Sequence, residues 1–145
     1  MKKVLVLFVF VLGVSICDTI GFIDSQQIMK QYNKAITAQT ELAKKQKEFQ
    51  DLVISKQQEL EKAKTASKSE EELIEMKDLF ESTLQPKKEE LVALNQKLSS
   101  EIEKDLVEAA KKIAKQLRID VVLDKQAVLV GGMDLTSLVI SNLNK

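Results

Sequence analysis

The chain has 145 residues, with 22 Lys and Arg against 22 Asp and Glu, no histidine, no tryptophan and a single cysteine, Cys17. Without imidazole, and with its one thiol close to the N-terminus, it lacks the usual ligands and bases of zinc, thiolate and histidine chemistry. The charge balance gives no support for a nucleic-acid binder. Its carboxylates sit among lysines at helix-surface spacing and read as a solvated charged face. No catalytic residue, metal or cofactor is therefore expected.

The chain opens Met1-Lys2-Lys3, continues through residues 4–14 with Gly13 the only non-hydrocarbon residue, and then reads Ser15-Ile16-Cys17. A basic start, a short apolar stretch and small residues at Ser15 and Cys17 form a secretory signal, cleaved after Cys17. A membrane anchor is the alternative, although the stretch falls short of the roughly 20 apolar residues that span a bilayer. A lipidated Cys17 is a third reading, with Ile16 where such signals want Gly, Ala or Ser. Cleavage removes Lys2 and Lys3, leaving 20 basic and 22 acidic residues, a net charge of −2. It also leaves no cysteine, so in an oxidising compartment stability must come from packing or assembly rather than disulfides.

Residues 19–24 (Thr-Ile-Gly-Phe-Ile-Asp) predict a short strand with Ile20 and Phe22 on one face. Asp24, with Gln27 three residues on, has the form of a capping box and predicts a helix start there. From residue 25 to 118 there are 94 residues with no glycine and one proline, Pro86, rich in Lys, Glu, Gln, Leu and Ala. That composition predicts long helix. In the first half, Ile28, Ala35, Leu42, Phe49 and Ala63 fall at heptad a, with Lys56 interrupting. Tyr32, Gln39, Gln46, Val53 and Leu60 fall at d. This is a seam with polar gaps. Thr65, Ser67 and Ser69 are turn and cap types, and Ser69 with Glu72 repeats the capping-box form, so a hairpin tip is expected at about 65–69.

The return helix repeats apolar residues from Leu73, Met76, Phe80 and Leu84 through to Ile113 and Leu117, with Lys87 interrupting. The spacing lies nearer 3.67 than 3.5, so the two arms do not form one regular coiled coil. Forty residues out gives an arm roughly 60 Å long. Pro86 predicts a bend near Gln85 and is a candidate hinge. Residues 25–69 carry nine Lys against five acids, and residues 70–90 carry eight acids against three Lys, so the two segments are expected to attract each other lengthwise.

After Arg118 the period becomes strand-like over 119–124 and 128–130, joined through Lys125-Gln126-Ala127 and followed by Gly131-Gly132. No phosphate-loop pattern is present. Asp134 is a candidate cap for a final helix with Leu135, Leu138, Val139 and Leu143 on one apolar face. Residues 18–24 and 119–145 form a β-rich assembly body of about 34 residues, below the roughly 40 that usually fold unaided. Strands from several subunits are expected to complete one sheet or barrel through Ile20, Phe22, Val121, Leu123, Val128 and Val130, with residues 25–118 projecting as the hairpin arm. The fold class is thus mainly α with a small β part: a long antiparallel helical hairpin on a small oligomeric β-barrel body.

Ile20-Gly21-Phe22-Ile23-Asp24 resembles the opening strand of the Skp/OmpH-type periplasmic chaperones. The run Val121-Val122-Leu123-Asp124-Lys125-Gln126-Ala127-Val128-Leu129-Val130-Gly131-Gly132-Met133-Asp134-Leu135-Thr136 resembles their C-terminal signature, and the likeness covers residues 18–145. The resemblance implies a homotrimer with three arms around a cavity. It implies an ATP-independent holdase that shelters unfolded outer-membrane β-barrel proteins in the periplasm, held by diffuse contacts over the arm interior. Well-known members are strongly basic, and their arms are associated with anionic lipid or lipopolysaccharide. This chain is near neutral, which leaves lipopolysaccharide or membrane contact open, with the nine Lys of 25–69 as local positive charge. The competing classes are a membrane- or lipid-tethered structural coiled coil of the envelope, and a prefoldin-like cytosolic chaperone, against which the secretory signal speaks.

Overall fold

The computed structural model describes residues 19–145, so the signal, anchor or lipid reading of residues 1–17 lies outside it. The chain is mainly helical. Strand β1 (Ile20–Ile23) leads to helix α1 (Ser25–Gln31), helix α2 (Asn33–Thr65) and helix α3 (Glu70–Leu117). Strand β2 (Val121–Asp124), a single 3₁₀ turn at Lys125–Ala127, strand β3 (Met133–Asp134) and helix α4 (Thr136–Leu143) complete it. The strands form one open parallel sheet in the order β2-β1-β3. Among the described residues no barrel closes, in contrast to the expected β-barrel body.

An aspartate stands at or just past the end of each strand and accepts from a backbone N–H of the turn or helix that succeeds it; Asp24 and Asp124 are N-caps, whereas the N-cap of α4 is Leu135 rather than the expected Asp134. Asp24, Asp124 and Asp134 accept from the backbone N–H of Gln27, Gln126 and Thr136, each at 2.9 Å. Lys125 lies 2.9 Å from Asp24 and holds that carboxyl below its usual range, while the Ser25 and Thr136 hydroxyls do the same for Asp124 and Asp134. These caps explain why a second strand over 128–130 does not form. The Asp124 cap curls the backbone into the 3₁₀ turn, closed by the Val128 N–H on the Lys125 carbonyl. The chain then swings through Gly131 and Gly132 at φ +85° and +87°, conformations that glycine adopts freely, to reach the far edge of β1 as β3.

The outgoing helix is interrupted at Tyr32, which is extended at φ −81°, ψ 115° and serves both as the C-cap of α1 and the N-cap of α2. The Asn144 side chain supplies what the break removes: its amide oxygen accepts from the Asn33 N–H (2.9 Å) and its amide N–H donates to the Gln31 carbonyl (2.8 Å). At the tip, Ser67 takes a left-handed φ of 57°. The Ser69 hydroxyl accepts from the Glu72 N–H (3.2 Å) as the Glu72 carboxylate accepts from the Ser69 N–H (3.0 Å), a complete capping box for α3.

The core sits at the base of the hairpin. Ile28, Tyr32, Ala35, Ile102, Ile113 and Val139 belong to one buried cluster, and Leu135 at its centre packs onto Gly21. Leu138 points away, 45% exposed, so the buried face of α4 runs through Leu135, Val139 and Leu143. Gly21→Ala is expected to destabilise the protein by about 1–3 kcal/mol, because the new Cβ would lie 2.7 Å from the Leu135 Cδ1 inside a filled core. Urea denaturation measures it, and an unchanged midpoint would contradict this packing.

Candidate functional site

Two surfaces stand out. The first is the sheet face away from α4. Ile20 pairs with Val121 and Phe22 with Leu123, so all four side chains share one face. Ile20, Val121 and Leu123 are exposed and Phe22 is half-buried, lying against Gly132. The other two expected assembly residues, Val128 and Val130, lie in the loop rather than on a strand, Val128 half-buried and Val130 93% exposed. Beside them Leu129 is 98% exposed. The register thus unites four of the six predicted positions and leaves two on a neighbouring projection.

The second surface is the arm. On α3 the predicted seam turns inward as spaced, from Leu73 to Ile113, with Lys87 and Leu117 left exposed. On α2 the glutamines read at d swing outward: Gln39 and Gln46 are exposed, and Ala38 and Lys45 take inward places. Lys56 does lie in the seam, its ammonium 5.1 Å from the Phe80 ring centroid and 2.9 Å from Glu59. Between Ala38 and Ala63 on α2, and between Phe80 and Ile102 on α3, no residue is fully buried. Leu42, Phe49, Leu52, Leu91, Leu94 and Leu98 are each only half-buried.

The under-filled seam leaves two apolar grooves. One, of about 280 Å³, has Phe49, Leu52, Leu91 and Leu94 as its floor and Lys45, Glu48, Lys87 and Glu90 as its rim. The other, of about 410 Å³, lies nearer the base beside Leu42, Leu98 and Leu106. Pro86 is exposed in this middle stretch, and α3 continues helical through it. Pro86 carries no N–H to return to the Ser82 carbonyl.

The expected lengthwise attraction between the basic and acidic segments does not take the form of close ion pairs across the middle of the arm. Among the described residues, the ion pairs of mid-arm lie within one helix, as in Lys45–Glu48, Lys56–Glu59 and Lys87–Glu90. Only Lys68–Glu72 joins the two segments, across the tip turn. The interhelical pairs sit at the base, where Lys34 reaches Asp105 at 2.8 Å and Glu101 at 3.3 Å. A flexible lysine meets a carboxylate one turn away on its own helix more easily than one on the opposite helix. Asp105 also accepts from the Tyr32 hydroxyl at 2.8 Å. Among the described residues there is no cluster suited to a metal, and no helix is long and apolar enough to cross a membrane.

The family model described as outer membrane protein (OmpH-like) matches residues 19–143. Among solved structures, a Caulobacter crescentus CB15 protein, proposed to be an outer membrane chaperone (OmpH-like), shares the fold with a TM-score of 0.63 and 17% identity, over 88% of this chain and 85% of that one. No curated protein matches the chain.

The base cluster makes stability depend on pH. Asp105 is held below its ordinary 3.8 by Lys34 first and Tyr32 second, so its contribution is present above that value and lost as pH falls through the lower folded one. Tyr32, raised above 10.0 by burial first and by Asp105 next, and Lys34, raised above 10.5 chiefly by its hydrogen bond to Asp105, act oppositely. Their contributions are present below those values and are lost as pH rises past them. A plateau between the two limits is expected in urea midpoints measured across pH. Asp105→Asn should shrink the acid limb without abolishing it, since Asp24, Asp124 and Asp134 titrate there too. Asp105→Ala, which removes the acceptor of the part-buried Tyr32 hydroxyl, should cost about 0.5–1.5 kcal/mol at neutral pH.

Proposed function

The chain belongs to the OmpH-like family, and on that premise we propose that it is an ATP-independent holdase of the periplasm that keeps unfolded outer-membrane β-barrel proteins from aggregating. The observation that carries this reading is the unfilled middle of the arm. A hairpin selected only for rigidity would bury its seam, whereas here a run of leucines and Phe49 stays half-open to solvent between well-packed ends. Exposed apolar surface on a soluble protein marks a place where something else binds. Spread along an arm, it supports many weak contacts summed by avidity rather than one tight site.

In this reading residues 18–24 and 119–145 form the assembly body and residues 25–118 the arm. Copies associate through Ile20, Phe22, Val121, Leu123, Val128 and Val130 as a trimer. The open sheet supports association, since among the described residues β2 and β3 each have an unpaired edge and the sheet's apolar face is uncovered. Pro86, in the loosest part of α3, acts as the hinge by which the arm adapts to clients of different size. The nine Lys of residues 25–69 offer local positive charge, and contact with lipopolysaccharide or an anionic membrane is left open.

Two measurements test this. Diluting a urea-unfolded outer-membrane barrel into buffer without ATP should give strongly reduced light scattering when this protein is in molar excess. Undiminished aggregation would overturn the holdase reading. Sedimentation at micromolar concentration should show an oligomer that Val121→Glu combined with Leu123→Glu reduces to monomers. A wild-type protein that is folded and monomeric there would overturn the assembly reading.

A further inference from the structure

We infer that the groove floored by Phe49, Leu52, Leu91 and Leu94 seats one apolar side chain of an extended, unfolded polypeptide. This rests on the holdase reading and locates a contact that the reading leaves diffuse. At about 280 Å³ the groove lies just under the roughly 300–1,000 Å³ of pockets that enclose a drug-sized ligand. It has room for a leucine or phenylalanine side chain. A strand turns alternate side chains to opposite faces, so a chain crossing the arm offers such residues one at a time.

The rim decides between a polypeptide and a lipid. Its two lysines each have a carboxylate within their own helix, Lys45–Glu48 at 3.4 Å and Lys87–Glu90 at 3.1 Å. Glu90 is held below its usual range by Lys87 first, with a smaller contribution from Lys45 across the groove. The rim therefore carries two positive and two negative charges. A fatty acid entering tail-first would bring its carboxylate against Glu48 and Glu90 as well as against the lysines. A peptide backbone is neutral and hydrogen-bonds to either sign, so the rim matches it without selecting charge in the flanking residues. The groove is also placed where the arm has least burial of its own to lose, in the same middle stretch as Pro86.

The absence of native tryptophan makes the groove directly observable. Phe49→Trp puts a single indole on its floor, Leu91→Trp on the α3 side of that floor serves if the first disturbs helicity, and Leu79→Trp, at a position 62% exposed on the distal arm, is the control. A urea-unfolded outer-membrane barrel polypeptide with its tryptophans replaced by phenylalanine should shift the groove indole to shorter wavelength and leave the control unmoved. Lys45→Gln with Lys87→Gln should change the half-saturating concentration by less than about threefold, as expected for exposed charges facing a neutral occupant. If the protein suppresses aggregation but the groove indole does not respond, or responds no more than the control, the proposal fails and the holdase reading stands. If the wild type does not suppress aggregation, both fail. A groove indole that responds to oleate and not to the polypeptide assigns the groove to an acyl chain and overturns the proposal.

Discussion

The packing of Leu135 onto Gly21 is the contact on which the rest depends. β1 can carry α4 across its back only because residue 21 has no side chain, and α4 in turn closes the cluster of Ile28, Ile113 and Val139. Through that cluster a four-residue strand, a seven-residue helix and an eight-residue helix are held against the lower part of α3. None of these pieces has the length to be stable alone. The cluster also reaches the arm's first turns through Ala35 and Ala38, and there the burial stops.

Beyond the base, α2 and α3 persist for different reasons. They have 33 and 48 residues, far above the length at which helices are marginal, and are built from good helix formers. Their solvent-exposed ion pairs add little to this. The capping box at Ser69 and Glu72 and the buried pair Ala63 and Phe80 secure the distal end. The arm is thus fixed at both ends and loosely zipped between, so local opening in the middle costs less than loss of the base. This separates a closely packed base from a loosely packed middle.

The long-range periodicities were legible in the sequence, and the local interruptions were not. The seam on α3 could be read because its apolar residues are large and regularly spaced, so one face wins clearly. The seam on α2 is poorer, and there a heptad frame placed Gln39 and Gln46 inward where the helix prefers Ala38 and Lys45. A small residue and a long aliphatic stem fit a close approach better than an amide that would need a buried partner. The break at Tyr32 had a faint local signal in Asn33, a residue that favours caps, but its cause lies 111 positions away in Asn144. The strand expected over 128–130 failed for a related reason. Its residues have high β-propensity, yet the Asp124 cap and the glycine pair set the path of the backbone, and here propensity yields to turn chemistry.

That last failure points to how the body and arm divide their labour. Leu129 and Val130 stand almost fully in water beside a sheet face that is itself uncovered, with edges at β2 and β3 that have no partner in one chain. Such residues are costly to leave exposed and prone to indiscriminate pairing. A chain that kept them there and also left a half-open leucine seam would carry two sticky surfaces of the same chemistry. They differ in geometry: the sheet face is short, flat and rigidly held by the base cluster, whereas the arm seam is long, interrupted and loosely held. A rigid surface suits a partner of fixed shape, such as another copy of the chain, because its burial is not spent on ordering. A loose one suits partners of no fixed shape, since each contact is weak and replaceable. In the proposed reading the same apolar chemistry serves assembly at one end and transient binding at the other, with the position of the core deciding which is which.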